Sequence, residues 1–546
     1  MTYNQARDHD QLGMLEAEIG RYINRYLASP PNPNRRTIIL FPGGLGSKLM
    51  RADSAYQNGI SGQVFNYDTA WIDCSILTGA ALTLQMQGDV DSENKIVVAD
   101  GFVHFALAGI RPYDDFTQWC SDRNLDWIVF GWDWRRRPGH TVDFFLNTFM
   151  PRFRQRVQAA CGADPMQDCT LLGHSFGGMI VKLIMNDANP LVDQFKRAVT
   201  VGSPFYGYAG QVHRYFEGES ELNFEGTAQI TRVISSMRGG YVLLFLDKAT
   251  YDRDCDRLAS DPDYPLNAYP SSDSGSGATV ADPFNPATLG SKVRYPKNFG
   301  FLGAELAPAD AAYQDVAKPL SNVRNGKFFN IRAVQFEDGA AVNGTVNSIR
   351  WDWISKNFTP GTDATPIHDE YVCPGDGVIP AWSARLVSTL PANVRTLTGD
   401  LDHMDLMNAT EIQDELASIL GLPQMMMMRR GAPPRARRRL KKKAASPKTA
   451  ATFFKGLQTV RARHASKSGL IQEQAARRYL AKYTIAELSQ IMRRAFIDAL
   501  KTPSQKLGKA PTKTPPPPSG RGYPQETPVK GPQTRGRKRK RKARRS

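Results

Sequence analysis

A serine hydroxyl becomes a nucleophile at neutral pH only beside a base, and that base works best when a third group orients it. One stretch of the chain could present such a serine: Gly173-His174-Ser175-Phe176-Gly177, a G-x-S-x-G pattern. The apolar run Thr170-Leu171-Leu172 precedes it and the helical pattern from Met179 to Met185 follows it. A nucleophile elbow needs that strand–turn–helix context, with glycines where neighbouring backbone must pass without a Cβ. The plainer alternative is a structural strand–turn–helix with no chemistry.

The partners follow from chain order, which in hydrolases of this kind runs serine, acid, histidine. Only His403 and His464 follow a suitable acid, Asp376, and His464 lies in a basic tail, so His403 is the expected base. Asp376 sits in the small polar loop Cys373-Pro-Gly-Asp-Gly-Val-Ile-Pro380. Asp400, Asp402 and Asp405 crowd His403 and rank below Asp376 as rival acids. An acyl-transfer oxyanion needs donors, and the N–H after the nucleophile, Phe176, is one. The loop Pro42-Gly-Gly-Leu-Gly-Ser47 after an early strand offers the second, with Gly44 as the choice. No Lys-Ser/Thr follows this loop at P-loop spacing, which argues against a nucleotide phosphate. The expected catalysis needs no metal and no cofactor.

The elements that must position these residues alternate along the chain. Thr37–Phe41, Trp127–Phe130, Thr170–Leu172, Ala198–Val201, Phe328–Gln335 and Val394–Leu397 read as strands, with helical patterns between them. That rhythm indicates a doubly wound, mostly parallel α/β sheet. Residues 11–27 read as an amphipathic helix on Leu12, Leu15, Ile19, Ile23 and Leu27. The expected organisation is an N-terminal helix and linker over 1–34 and an α/β domain over 35–424, interrupted by a cap insertion at about 205–325. A basic linker over 425–451, a small helical segment over 452–501 and a disordered Pro/Lys/Arg-rich tail over 502–546 follow.

Charge divides the chain at the same boundary. Residues 425–546 hold 34 Lys and Arg against 4 Asp and Glu, while residues 1–424 hold 36 against 49. An acidic body thus carries a strongly basic tail ending Arg-Lys-Arg-Lys-Arg-Lys-Ala-Arg-Arg-Ser546. Such a tail attracts polyanions, either an anionic membrane surface or nucleic acid, or it serves only solubility. The six cysteines form no C-x-x-C, and free thiols are favoured over a Cys161–Cys169 bridge. The first twenty residues lack a basic start followed by an apolar run, and no stretch is apolar for long enough to span a bilayer. The expectation is a cytoplasmic protein, with nuclear and membrane-peripheral targeting by the tail as open alternatives.

Taken together, the motifs resemble the lecithin:cholesterol acyltransferase family, which includes lysosomal phospholipase A2. The matching stretches, in family order, are Pro42–Leu49, Trp71-Ile-Asp73, Trp132-Asp-Trp-Arg135, Gly173–Gly178, Gly375–Pro380 and His403–Ile412. Trp132 stands where the family pattern Y-D-W-R has Tyr. The resemblance implies an α/β-hydrolase fold with a cap, Ser175, Asp376 and His403 as triad, and Gly44 and Phe176 as oxyanion donors. It puts Trp71 at the acyl site, and Trp71 and Trp132 are the expected substrate-binding side chains. A fatty-acyl ester of a lipid is the implied substrate, with water or an alcohol as acceptor. Two alternatives stand beside it: a non-lipid carboxylesterase, and an inactive hydrolase scaffold whose tail binds nucleic acid.

Overall fold

A computed structural model of the chain describes residues 3–30, 35–52, 67–71, 86–87, 90–91, 96–103, 112–212, 218–219, 224–225, 236–244, 248–255, 271–273, 279–280, 315–316, 318–337, 340–341, 343–351 and 367–423. Most of the 205–325 insertion, and all of the helical segment and tail expected beyond 424, lie outside these residues.

Six strands pair in parallel: β1 (Thr37–Phe41), β2 (Asp126–Val129), β3 (Cys169–His174), β4 (Arg197–Val201), β5 (Phe328–Glu337) and a later strand, Val394–Gly399. Their spatial order is β2-β1-β3-β4-β5, with Val394–Gly399 beyond β5. A short antiparallel strand, Ala340–Ala341, folds back on the end of β5. The fold is therefore mixed α/β with a mostly parallel central sheet. All six expected strands are present in it.

The residues dictate this sheet in a direct way. All six positions of β3 are buried, as a strand covered on both faces requires. Along β1 successive side chains point to opposite faces: Ile39 and Phe41 enter one core, Ile38 and Leu40 the other. The first core is completed by α1 (Tyr3–Ala28), α3 (Pro138–Phe144), α4 (Met150–Cys161) and α5 (Phe176–Asn186). The second is closed by α2 (Asp114–Asp122) and α6 (Thr410–Leu420) through Phe116, Cys120, Ile412 and Leu416. Helices thus cover both faces.

Helix α1 is longer than its apolar stripe suggests. Leu15, Ile19 and Ile23 are buried as expected, but Leu27 is 61% exposed. The helix is also held by a polar contact in its first half: the Gln11 amide accepts from the Ala99 N–H at 2.7 Å and donates to the Ala99 carbonyl at 3.0 Å. No described helix is long and apolar enough to cross a membrane. Cys120, Cys161, Cys169 and Cys373 are free thiols, so Cys161 and Cys169 form no bridge.

Between β5 and Val394–Gly399 the chain makes an excursion. Strands β6 (Asn343–Trp351) and β7 (Ile367–Pro374) form an antiparallel pair in a separate small sheet. With these labelled, Val394–Gly399 becomes β8. The excursion returns to the main sheet where the Gln335 N–H, at the end of β5, donates to the Gly375 carbonyl at 2.8 Å.

Candidate active site

The chain runs from β1 outward to β2, then crosses β1 to β3 and continues through β4 and β5. The switch in direction opens a crevice at the carboxyl ends of β1 and β3, the place where open α/β sheets bind ligands. The Pro42–Ser47 loop leaves β1 there and Ser175 leaves β3.

Ser175 connects β3 directly to α5 with φ 53° and ψ −126°, a backbone that non-glycine residues rarely adopt. Its N–H is held by the Val201 carbonyl at 2.8 Å and its own carbonyl accepts from the Gly178 N–H at 2.9 Å. A Cβ on Gly173 would come within 2.5 Å of the Gly178 backbone, and one on Gly177 within 2.6 Å of the Pro42 carbonyl. Those two bare positions let the turn close and let the end of β1 pack against the first turn of α5.

Three separated segments meet at this serine. His403 Nε2 lies 2.9 Å from Ser175 Oγ, and His403 Nδ1 lies 2.7 Å from Asp376 Oδ2. The other Asp376 oxygen accepts from the Val378 N–H at 3.1 Å and the Ile379 N–H at 2.7 Å, so the carboxylate is oriented by its own loop. His403 starts a short 3₁₀ helix, His403–Asn408, and its N–H donates to the Asp376 carbonyl at 2.9 Å. Asp376 and His403 are buried, whereas Ser175 is partly exposed. Of the rival acids, Asp402 caps the short 3₁₀ helix through the Met404 N–H at 3.0 Å, and Asp405 accepts from the Asn408 amide at 2.7 Å.

Ser175 opens into a small cleft. Gly44 and Phe176 line it, as do His403 and the apolar side chains of Tyr208, Leu243, Val378 and Met404. Tyr208 and Leu243 belong to the insertion and are joined by a hydrogen bond from the Tyr208 N–H to the Leu243 carbonyl, 3.1 Å. Burial, then the charge of Asp376, pushes the Cys373 thiol up to about 12, so this neighbour of the acid loop stays protonated.

The two tryptophans fare differently. Trp71 ends the strand Tyr67–Trp71, paired with Leu49, and its side chain lies outside the described part of the structure. Trp132 is buried behind the glycine loop instead of along the serine cleft. Its Nε1–H donates to the Pro42 carbonyl at 2.9 Å, and its ring meets Phe176 edge-on at 4.9 Å. Trp134 donates to the Ser47 carbonyl at 3.2 Å. The two indoles therefore grip the loop at both ends. Between them Asp133 pairs with Arg135 at 2.7 Å, both fully buried. Burial raises the Asp133 pKa, but Arg135 outweighs it and the carboxyl lies below its ordinary value.

Sequence reasoning passed over two residues of this site. Tyr113, at the start of α2, accepts from the Gly43 N–H at 2.7 Å through its hydroxyl. Leu45 holds φ 64° in a turn closed by the Gly46 N–H on the Gly43 carbonyl at 2.9 Å. Nothing in the pattern around Tyr113 marks it, because its role comes from a contact 70 residues away.

No protein-family model matches the chain, and no curated protein matches it. Among solved structures it is similar to a chain of "The crystal structure of Tle4-Tli4 complex", at 12% identity and a TM-score of 0.40. The match covers 71% of this chain and 98% of that one.

Proposed function

We propose that the chain is a serine hydrolase of the α/β-hydrolase type, akin to the lecithin:cholesterol acyltransferase family, that cleaves or transfers fatty-acyl esters of lipids. The observation that carries this is the continuous hydrogen-bond chain from Ser175 through His403 to Asp376, at 2.9 and 2.7 Å. Its order along the sequence and its place at the sheet's switch point support the reading further.

In this mechanism His403 Nε2 removes the Ser175 proton as Oγ attacks the ester carbonyl. The imidazolium that forms is stabilised by Asp376, whose second oxygen stays fixed on two backbone N–H groups. The N–H groups of Gly44 and Phe176 receive the oxyanion. His403 then gives its proton to the leaving alcohol, and acyl-Ser175 remains. Water or a second alcohol, deprotonated by His403, attacks the acyl group and frees the serine.

The lipid part of the reading rests on the apolar lining of the cleft and on the motif set shared with that family. The basic residues after 424 suit docking to an anionic lipid surface, where each contributes about 1 kcal/mol.

The test is product analysis. The full chain is incubated with mixed phospholipid vesicles containing a long-chain alcohol, with Ser175→Ala as control. Free fatty acid with lysolipid means a phospholipase, and an esterified alcohol means an acyltransferase. Fluorophosphonate labelling of Ser175 without any lipid product moves the substrate to soluble esters and turns the tail towards nucleic acid. No labelling and no product overturns the enzyme reading.

A further inference from the structure

We propose that His174, the residue just before Ser175, is a positioning residue that locks the glycine loop and the backbone of His403 into one geometry through a single fixed tautomer. The proposal rests on the serine-hydrolase reading above.

Three hydrogen bonds carry it. The Gly43 N–H meets Tyr113 Oη at 2.7 Å, Tyr113 Oη meets His174 Nδ1 at 3.0 Å, and His174 Nε2 meets the His403 carbonyl at 3.0 Å. Two of the three directions are fixed by the partner. The His403 carbonyl can only accept, so His174 Nε2 carries the proton. The Gly43 N–H can only donate, so the Tyr113 oxygen accepts from it; with His174 neutral and its proton on Nε2, the Tyr113 O–H donates to Nδ1. For a neutral ring, the Nε2–H tautomer is the one that satisfies all three bonds together.

Burial supports this form. Tyr113, His174 and His403 are 1%, 3% and 4% exposed. Desolvation, and after it the charge of His403, holds the His174 pKa well below the ordinary histidine value. A neutral ring is also what the reaction needs here. The two imidazole centroids are 5.1 Å apart, and a cation at His174 would oppose the charge that His403 acquires.

The consequence is mechanical coupling. The His403 peptide is held on one side by Asp376, through its N–H, and on the other by His174, through its carbonyl. The same His174 reaches Gly43, the neighbour of the proposed oxyanion donor Gly44. Base and oxyanion loop are thereby set against each other along the wall of the serine cleft, which Gly43, Tyr113 and His174 all line.

The test compares full-length wild type with Tyr113→Phe, His174→Ala and His174→Gln. The readouts are the rate of fluorophosphonate labelling at Ser175, kcat and KM on a p-nitrophenyl ester, and Tm as a fold control. Tyr113→Phe is expected to label about 10-fold more slowly and to lose kcat in proportion, with KM unchanged, as small misplacements of reacting groups do. His174→Gln places an amide donor about as far out as Nε2 and is expected to recover most of the rate that His174→Ala loses. Wild-type labelling and kcat in Tyr113→Phe would overturn the proposal, as would a His174→Gln no faster than His174→Ala at equal Tm. If His174→Ala does not fold, Tyr113→Phe, which removes one oxygen, decides alone. A wild type that does not label overturns the hydrolase reading itself.

Discussion

His403 Nδ1 sits 2.7 Å from Asp376 Oδ2 while the His403 N–H donates to the Asp376 carbonyl at 2.9 Å. The acid therefore holds the base by side chain and by backbone at once. Replacing Asp376 by Asn keeps the size of the side chain and the backbone contact but presents an amide to Nδ1, which favours the wrong tautomer. Asp376→Asn is expected to lower kcat on an ester substrate by about 10⁴-fold. Ser175→Ala is expected to lower it by about 10⁶-fold. Steady-state rates on a p-nitrophenyl ester check both, and an Asp376→Asn within tenfold of wild type would remove Asp376 from the mechanism.

Trp132 offers a test of the loop grip. Trp132→Phe keeps an aromatic face towards Phe176 but deletes the Nε1–H that holds the Pro42 carbonyl. The lost hydrogen bond is expected to cost about 1 kcal/mol of stability. It is also expected to lower kcat more than it changes KM, because Trp132 lies behind the loop and outside the serine cleft. Urea melts and ester kinetics measure the two effects. A rise in KM with kcat intact would instead return Trp132 to substrate binding.

Much of this arrangement was legible in the residues, for reasons that differ by element. The central strands announce themselves because both faces of the sheet are covered, so Thr37–Phe41 is a nearly unbroken apolar run and Leu171-Leu172 lies at the centre of Cys169–His174. Ser175 is legible because Gly173 and Gly177 are demanded by backbone approaches that any Cβ would block. Asp376 and His403 follow from chain order. Tyr113 was not legible, since a tyrosine at a helix start has no pattern until the fold brings it to Gly43. Trp132 reads as a substrate-binding side chain by type, but its N–H is taken up by the Pro42 carbonyl. Leu27 continues the stripe of α1 in sequence, yet it is exposed.

Asp126, at the start of β2, gives a pH prediction. Burial raises its carboxyl to about 6, with Arg35 and then Arg25 opposing. Its partner Arg35 is 3.8 Å away, and Asp126 Oδ2 has no hydrogen-bond partner among the described residues. A raised acid is protonated more readily in the folded than in the unfolded chain. Its ionisation therefore destabilises the fold progressively from about pH 4, the unfolded value, up to about 6, and fully above that. Asp126→Asn removes this cost. It is expected to raise stability by about 1–2 kcal/mol at pH 8, with the gain shrinking towards pH 4. Urea denaturation at pH 4.5 and pH 8 checks it, and a gain that is larger at the lower pH would refute the assignment.

Gly178 and Ser203 give a paired prediction that also separates two serines. A Cβ on Gly178 would fall onto Ser203 Oγ and lie 2.9 Å from Ser203 Cβ and 3.1 Å from Thr200 Cβ. Gly178→Ala is therefore expected to destabilise by about 3 kcal/mol, the upper range for overpacking a filled core. Ser203 is fully buried, and its hydroxyl has no hydrogen-bond partner among the described residues. Losing that hydroxyl gives up no protein hydrogen bond, so Ser203→Ala should lie within about 1 kcal/mol of wild type and keep full esterase activity. The double variant Gly178→Ala/Ser203→Gly removes both colliding atoms of residue 203 and leaves only the Thr200 contact. It is expected to recover at least half of the loss, a coupling of about 1.5 kcal/mol between touching residues. Urea melts on the four corners of the Gly178→Ala and Ser203→Gly cycle measure the coupling. Additive losses would mean that α5 can shift away from β4 freely, and with it the fixed position of Ser175 at the first turn of that helix.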